Sequence, residues 1–208
     1  MRVRILSRAD VELGRAADAE AVISIRGSAD GDEPELDLAL AQATKGESAR
    51  LLRLRFDDIG MTAIGTFVGP SIDQIQQAID FGRRVIRGRD FFDGPVDDPL
   101  VAIHCEQGRS RSSAIALGLL ADALGAGRER QAVNTLLRDD IEVRLHPNPL
   151  IVSHIDACLF RYGRLDAALV ELSPRYGRWK QLWLDIQADP DAYHEKVRQA
   201  LGKRSQPR

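Results

Sequence analysis

The chain reads as an α/β protein with a central, mainly parallel sheet flanked by helices, and three observations carry that reading. Strand-like runs at residues 2–6, 21–25, 50–56 and 100–103 all lie before residue 106. Helical patterns dominate everything after it. The last strand also passes through a tight glycine-containing loop straight into a helix, as parallel sheets with packed helices do.

Taken in order, residues 2–6 alternate charged and apolar side chains, the period of a strand. Residues 16–20 are helix-prone, and 21–25 form a second apolar strand. The stretch 28–34 (SADGDEP) is an acidic turn, and 35–43 fits a short helix or irregular chain. In 50–56 the alternation returns, with Leu52, Leu54 and Phe56 on one face, and the strand runs directly into Asp57 and Asp58. Residues 59–70 hold three glycines and no clear period, so a loop is expected. Ser71 then caps a helix, with Gln74 at the capping-box position and Ile72, Ile75 and Ile79 on its apolar stripe. Residues 87–99 read as a polar loop. After a helix over 112–123, Gly125 and Gly127 stop the chain, and a further helix spans 128–138. The rigid turn His146-Pro-Asn-Pro149 starts another helix over 150–161. Residues 165–201 are helical, broken at Pro174 and Pro190. One domain over 1–208 is expected, with 1–163 as its core and 164–208 as a helical extension.

Composition narrows the classes of function. With 208 residues, 44% hydrophobic and 29% charged, the chain is long and apolar enough for a substantial core. A net charge of −2 argues against a nucleic acid or a membrane surface as the main partner. The N-terminus is broken by Arg and Asp and resembles no signal peptide, so a cytoplasmic location is expected. Two cysteines make no disulfide framework. The histidines and cysteines lack metal-ligand spacing, and no glycine-rich nucleotide loop is present, so neither metal nor cofactor is expected. The oligomeric state is left open.

Chemistry concentrates in Val101-Ala-Ile-His-Cys-Glu-Gln-Gly-Arg-Ser-Arg-Ser-Ser113. An apolar strand ends in Cys105, a loop of five residues follows, and Arg111 and Ser112 open a helix. Loop amides and the first helical N–H groups lack partners of their own and can point at one centre, which suits an anion. A thiol over that centre sits in a positive field, which favours the thiolate, its nucleophilic form. The guanidinium of Arg111 can close the cup with a planar fork that matches two phosphate oxygens.

The segment HCEQGRSRS resembles the signature of the cysteine-dependent protein tyrosine phosphatase superfamily, and specifically a dual-specificity-like bacterial type. The resemblance covers residues 51 to about 124. It implies a phosphotyrosine phosphatase-like fold and hydrolysis of phosphomonoesters through a phosphocysteine on Cys105. Glu106, Gln107, Gly108, Arg109, Ser110 and Arg111 then form the phosphate loop. Ser112 matches the hydroxyl that eases departure of the thiolate, and His104 the residue that braces the loop. The family also needs a general acid on an upstream loop. By likeness Asp58 is the better match and Asp57 the alternative, and adjacent carboxylates hold a proton more readily than isolated ones. The 47 residues from Asp58 to Cys105 are more than a compact enzyme of this type needs, and the surplus falls in 59–70 and 87–99. The substrate is expected to be a phosphorylated protein or a small phosphomonoester. Glu106 and Gln107 stand where inositol-directed relatives carry lysines, which disfavours a multiply phosphorylated inositol. That substrate and a phosphate-binding module without turnover are the rival readings.

Three further features read as structural. Cys158 shares a helix face with Ile151, Ile155 and Leu159, so core packing is expected. Trp179 and Trp183 are four apart and suit a helix docked on the core. Arg83, Arg84, Arg87 and Arg89 read as a solvated helix end.

Overall fold

A computed structural model describes residues 1–88, 98–138 and 140–191. The central sheet is built from β1 (Arg2–Ser7), β2 (Ala21–Arg26), β3 (Leu51–Arg55) and, after a small antiparallel hairpin of β4 (Ala63–Ile64) and β5 (Phe67–Val68), β6 (Leu100–Cys105). Its spatial order is β1-β6-β2-β3, and every neighbouring pair is parallel. The two central strands are buried along their whole length, which is why both read as continuous apolar runs. The edge strands alternate instead, with Arg2 and Arg4 on one edge and Arg53 and Arg55 on the other; charge on an edge discourages further pairing.

Alternation along the strands divides the core. Leu6, Val22, Leu100 and Ala102 face one side, where α1 (Arg8–Glu12) and α2 (Pro34–Ala43) cover them through Val11, Leu36 and Leu40. Ile23, Ile25, Val101 and Ile103 face the larger core on the other side. That side carries α3 (Ile72–Arg87), α4 (Arg111–Leu124), α5 (Glu129–Arg138), α6 (Pro149–Cys158) and α7 (Arg164–Leu172). The last described helix, α8 (Pro174–Ala188), joins this core through Tyr176. Residues 111–121 of α4 are all buried, so this helix is the central pillar on which the others pack.

The four expected strands and the mainly parallel sheet are present. The capping box at Ser71 is also found: Ser71 Oγ accepts from Gln74 N–H, and Gln74 accepts from Ser71 N–H. Two expectations fail. The helix expected at 16–20 is a series of turns, and the helix forms earlier, at Arg8–Glu12. The cause is local, since Ser7 and Asp10 make a complete capping box that starts the helix as soon as β1 ends. The loop expected at 59–70 holds the β4–β5 hairpin, whose two-residue strands are too short to display a period. Most of the polar loop expected at 87–99 lies outside the described residues, as do Arg89 and the end of the expected C-terminal helix. No helix among the described residues is long and apolar enough to cross a membrane.

Parallel strands send all their carboxyl ends to one edge of the sheet. Ser7, Arg26, Phe56 and Cys105 therefore arrive together, and that edge is where open α/β sheets place their ligand sites.

Candidate active site

The loop from Glu106 to Ser110 links β6 to α4, and the carbonyls of Glu106, Arg109 and Ser110 are bonded away from its amides. Glu106 C=O accepts from Arg8 N–H at 3.1 Å, and Arg109 C=O from His146 N–H at 3.1 Å. Ser110 C=O accepts from Asn148 N–H at 3.3 Å and from Ser113 Oγ at 2.9 Å. Among the described residues, by contrast, no acceptor meets the backbone N–H groups of residues 106–111. Carbonyls tied outward and amides left unpaired are the geometry of a backbone anion cup. Gly108 makes the turn possible. Its φ is +65°, and a Cβ there would lie 2.7 Å from the Leu6 carbonyl carbon and 2.8 Å from Ser7 N. The start of α4 also lacks a side-chain cap, because Ser110 Oγ is turned to Asp58 instead, so the helix N-terminus adds its field to the cup.

Cys105 ends β6 at the base of this loop, with its side chain 2% exposed. Its Sγ lies 3.2 Å from Ser112 Oγ. Arg111 is 7% exposed; Nη1 donates to Phe56 C=O at 3.0 Å, while Nε finds no acceptor among the described residues. The guanidinium is thus held from the end of β3 with donors to spare. His104 is buried, with Nε2 at 2.8 Å from Ser24 Oγ, so it fastens β6 to β2 directly behind the cysteine. Burial pushes its imidazole down to about 4, with the charges of Arg26, Arg111 and Arg8 acting in the same direction. Glu106 and Gln107 are exposed on the rim, whereas Arg109 is half-buried.

The two aspartates point to different places. Asp57 accepts from Ser28 N–H at 3.1 Å, from Val68 N–H at 2.7 Å and from Ser28 Oγ. Burial alone would raise its carboxyl, but these donors and nearby Arg111 outweigh it and hold the group below the usual carboxylate range. The expectation that the pair favours a shared proton therefore fails at Asp57, whose carboxylate is held by Ser28 and Val68 while that of Asp58 is held by other partners. Asp58 instead reaches the loop after β6, its Oδ1 accepting from Ser110 Oγ at 2.7 Å and also from Asn148 Nδ2 at 2.9 Å. Oδ2 is left without a hydrogen bond among the described residues.

Asn148 is the site residue that the sequence did not reveal. Fully buried, it caps α6 by accepting from Leu150 and Ile151 N–H, and its Nδ2 donates to both Asp58 and Ile59 C=O. The Asn-Pro pair did signal a helix start, but nothing local signalled the reach to Asp58.

The residues set aside behave mostly as expected. Arg83 makes a two-pronged ion pair with Asp122 and is tied to α4, away from the cup. Cys158 is half-buried and packs against the main core, near Ile72 of α3, with burial pushing its thiol up.

No family model matches the chain. No curated protein matches it. Among solved structures it is similar to the PTP-2 phosphatase of Cydia pomonella, with 16% identity and a TM-score of 0.51 over 76% of this chain and 85% of that one. A structure of Tk-PTP in its active form gives 15% identity and a TM-score of 0.47, over 77% and 93% of the two chains. The Yvh1 phosphatase domain of Chaetomium thermophilum gives 16% and 0.45, over 79% and 92%. The likeness is one of fold: the chain has a phosphotyrosine phosphatase-like arrangement of a parallel central sheet with flanking helices.

Proposed function

We propose that the chain is a cysteine-dependent phosphatase, hydrolysing phosphomonoesters of the protein tyrosine or dual-specificity kind. One observation carries the reading: a buried thiol faces Ser112 at 3.2 Å at the base of a loop whose amides find no acceptor among the described residues and whose Glu106, Arg109 and Ser110 carbonyls are tied elsewhere. In this reading the amides of residues 106–111 and the Arg111 fork hold the three non-bridging oxygens. The Cys105 thiolate attacks phosphorus, forming the P–S bond as the bond to the leaving oxygen breaks. Asp58 protonates that oxygen and is left as the carboxylate. Water then attacks the phosphocysteine, Asp58 takes its proton, and the P–S bond breaks to release phosphate, with Ser112 donating to the departing thiolate. Asp57 is fully engaged with Ser28 and Val68, which supports Asp58 as the acid.

Exposed Glu106 and Gln107 on the rim favour a phosphorylated protein or a small phosphomonoester over a multiply charged inositol phosphate. The direct test is hydrolysis of p-nitrophenyl phosphate in EDTA by the reduced protein and by Cys105→Ser. The reading expects turnover that ignores chelator and vanishes in the variant. A folded, reduced protein that binds vanadate without turnover would make the cup a phosphate reader instead.

A further inference from the structure

The helix α8 does not reach the cup, yet it grips both segments that hold Asp58 in place. On one side Trp183 is buried with Ile59 and Ile186, and Met61, Ile64 and Trp179 pack around them. The fit at Gly60 is extreme, since a Cβ there would lie 2.3 Å from Trp183 Cγ and 2.7 Å from Cδ2. Only a glycine lets the chain two residues after Asp58 lie flat against the indole. On the other side Trp179 meets His146 edge-on, with centroids 5.1 Å apart, and meets Trp183 the same way at 5.8 Å. His146 N–H is bonded to Arg109 C=O of the phosphate loop, and Asn148, two residues on, donates to Asp58 and Ile59. Both indole N–H groups are buried and find no acceptor among the described residues. Such orphaned donors are unfavourable, so ring shape holds these side chains here and hydrogen bonding does not.

We infer that Trp183 is a positioning residue for the general acid. Pressed on Gly60, it fixes the path of the chain leaving Asp58 and so the reach of that carboxyl over the cup. Trp179 registers the same helix against the segment that bonds the phosphate loop. The inference rests on the reading of Asp58 as acid. Small displacements of a reacting group are costly to rate, so a contact remote from the chemistry can matter.

The test is kcat/KM for aryl phosphates whose leaving phenols run from acidic to strongly basic, because this parameter reports the steps through departure of the phenol. A strongly acidic phenol needs little protonation, while a basic one depends on the acid. Asp58→Asn is expected to lose about a hundredfold on the basic phenols and far less on the acidic ones. Trp183→Ala is expected to follow the same slope more weakly, losing about tenfold more at the basic end. Gly60→Ala should share that slope, since its Cβ pushes the chain off the ring. Placed in the Trp183→Ala background, where the ring atoms are gone and only the close approach to the residue 183 Cβ at 2.8 Å remains, Gly60→Ala should cost clearly less than it does alone. Trp183→Phe, which keeps an aromatic filler, serves if the alanine variant does not fold. Equal losses across the series in the Trp183 and Gly60 variants, with the slope retained in Asp58→Asn, would overturn the positioning role alone. A flat series in Asp58→Asn would remove the acid and the inference with it.

Discussion

Cys105, Arg111 and Ser112 were legible because their chemistry is local: strand, loop and helix follow one another within a dozen residues. Asp58 and Asn148 meet across 90 residues of sequence, and no spacing rule reaches that far. The sequence could rank Asp58 over Asp57 only by likeness; their different hydrogen-bond partners in three dimensions separate them. Two substitutions follow at this scale. Asn148→Asp keeps an oxygen to cap α6 but replaces the donor beside Asp58 with a second carboxylate. Two carboxylates facing each other in a buried site are unfavourable, so the variant's melting temperature should fall together with kcat/KM. Asn148→Ala should lose both, with the missing cap costing about 1 kcal/mol in denaturant unfolding. Gly108→Ala forces a side chain into a left-handed turn against the backbone of Leu6 and Ser7. It should cost about 2 kcal/mol or more and abolish vanadate binding measured by calorimetry.

Among the elements, those with a strong period or a cap were predictable. The strand alternation and the Ser71–Gln74 box show in sequence because each depends on neighbours two to four residues away. Ser71→Ala should lower stability by about 1 kcal/mol, read from the urea midpoint, with activity on p-nitrophenyl phosphate little changed. The short elements were not predictable. A competing cap at Ser7 decided where α1 begins, and the hairpin at Ala63–Val68 depends on Asp57, whose N–H and carboxylate both bond Val68. A side chain first considered for catalysis thus turns out to anchor a hairpin. The tryptophans of α8 showed an apolar spacing but not what they would cover, which depends on where the chain after β3 comes to lie.

For the whole molecule, the buried His104 links stability to pH. Its native value near 4 lies below the ordinary 6.5, so the folded state holds it neutral while the unfolded chain takes up a proton more readily. The contribution is complete above about pH 6.5 and fades as pH falls towards 4, by about 3 kcal/mol in all. Urea unfolding between pH 7 and 4.5 should show this decline, and His104→Asn should flatten it. The fold as a whole was legible from its four strands, whereas the gathering of their carboxyl ends around one cup follows from the parallel order β1-β6-β2-β3, which no single strand discloses. That cup is the centre of the account, and its most direct test is to quench a reaction of Ser112→Ala with a phosphomonoester in acid and map the protein by mass spectrometry. The account predicts a phosphate adduct on the peptide carrying Cys105, built up because the thiolate has lost the hydroxyl that eases its departure. Turnover without any adduct, or an adduct on another residue, would contradict it.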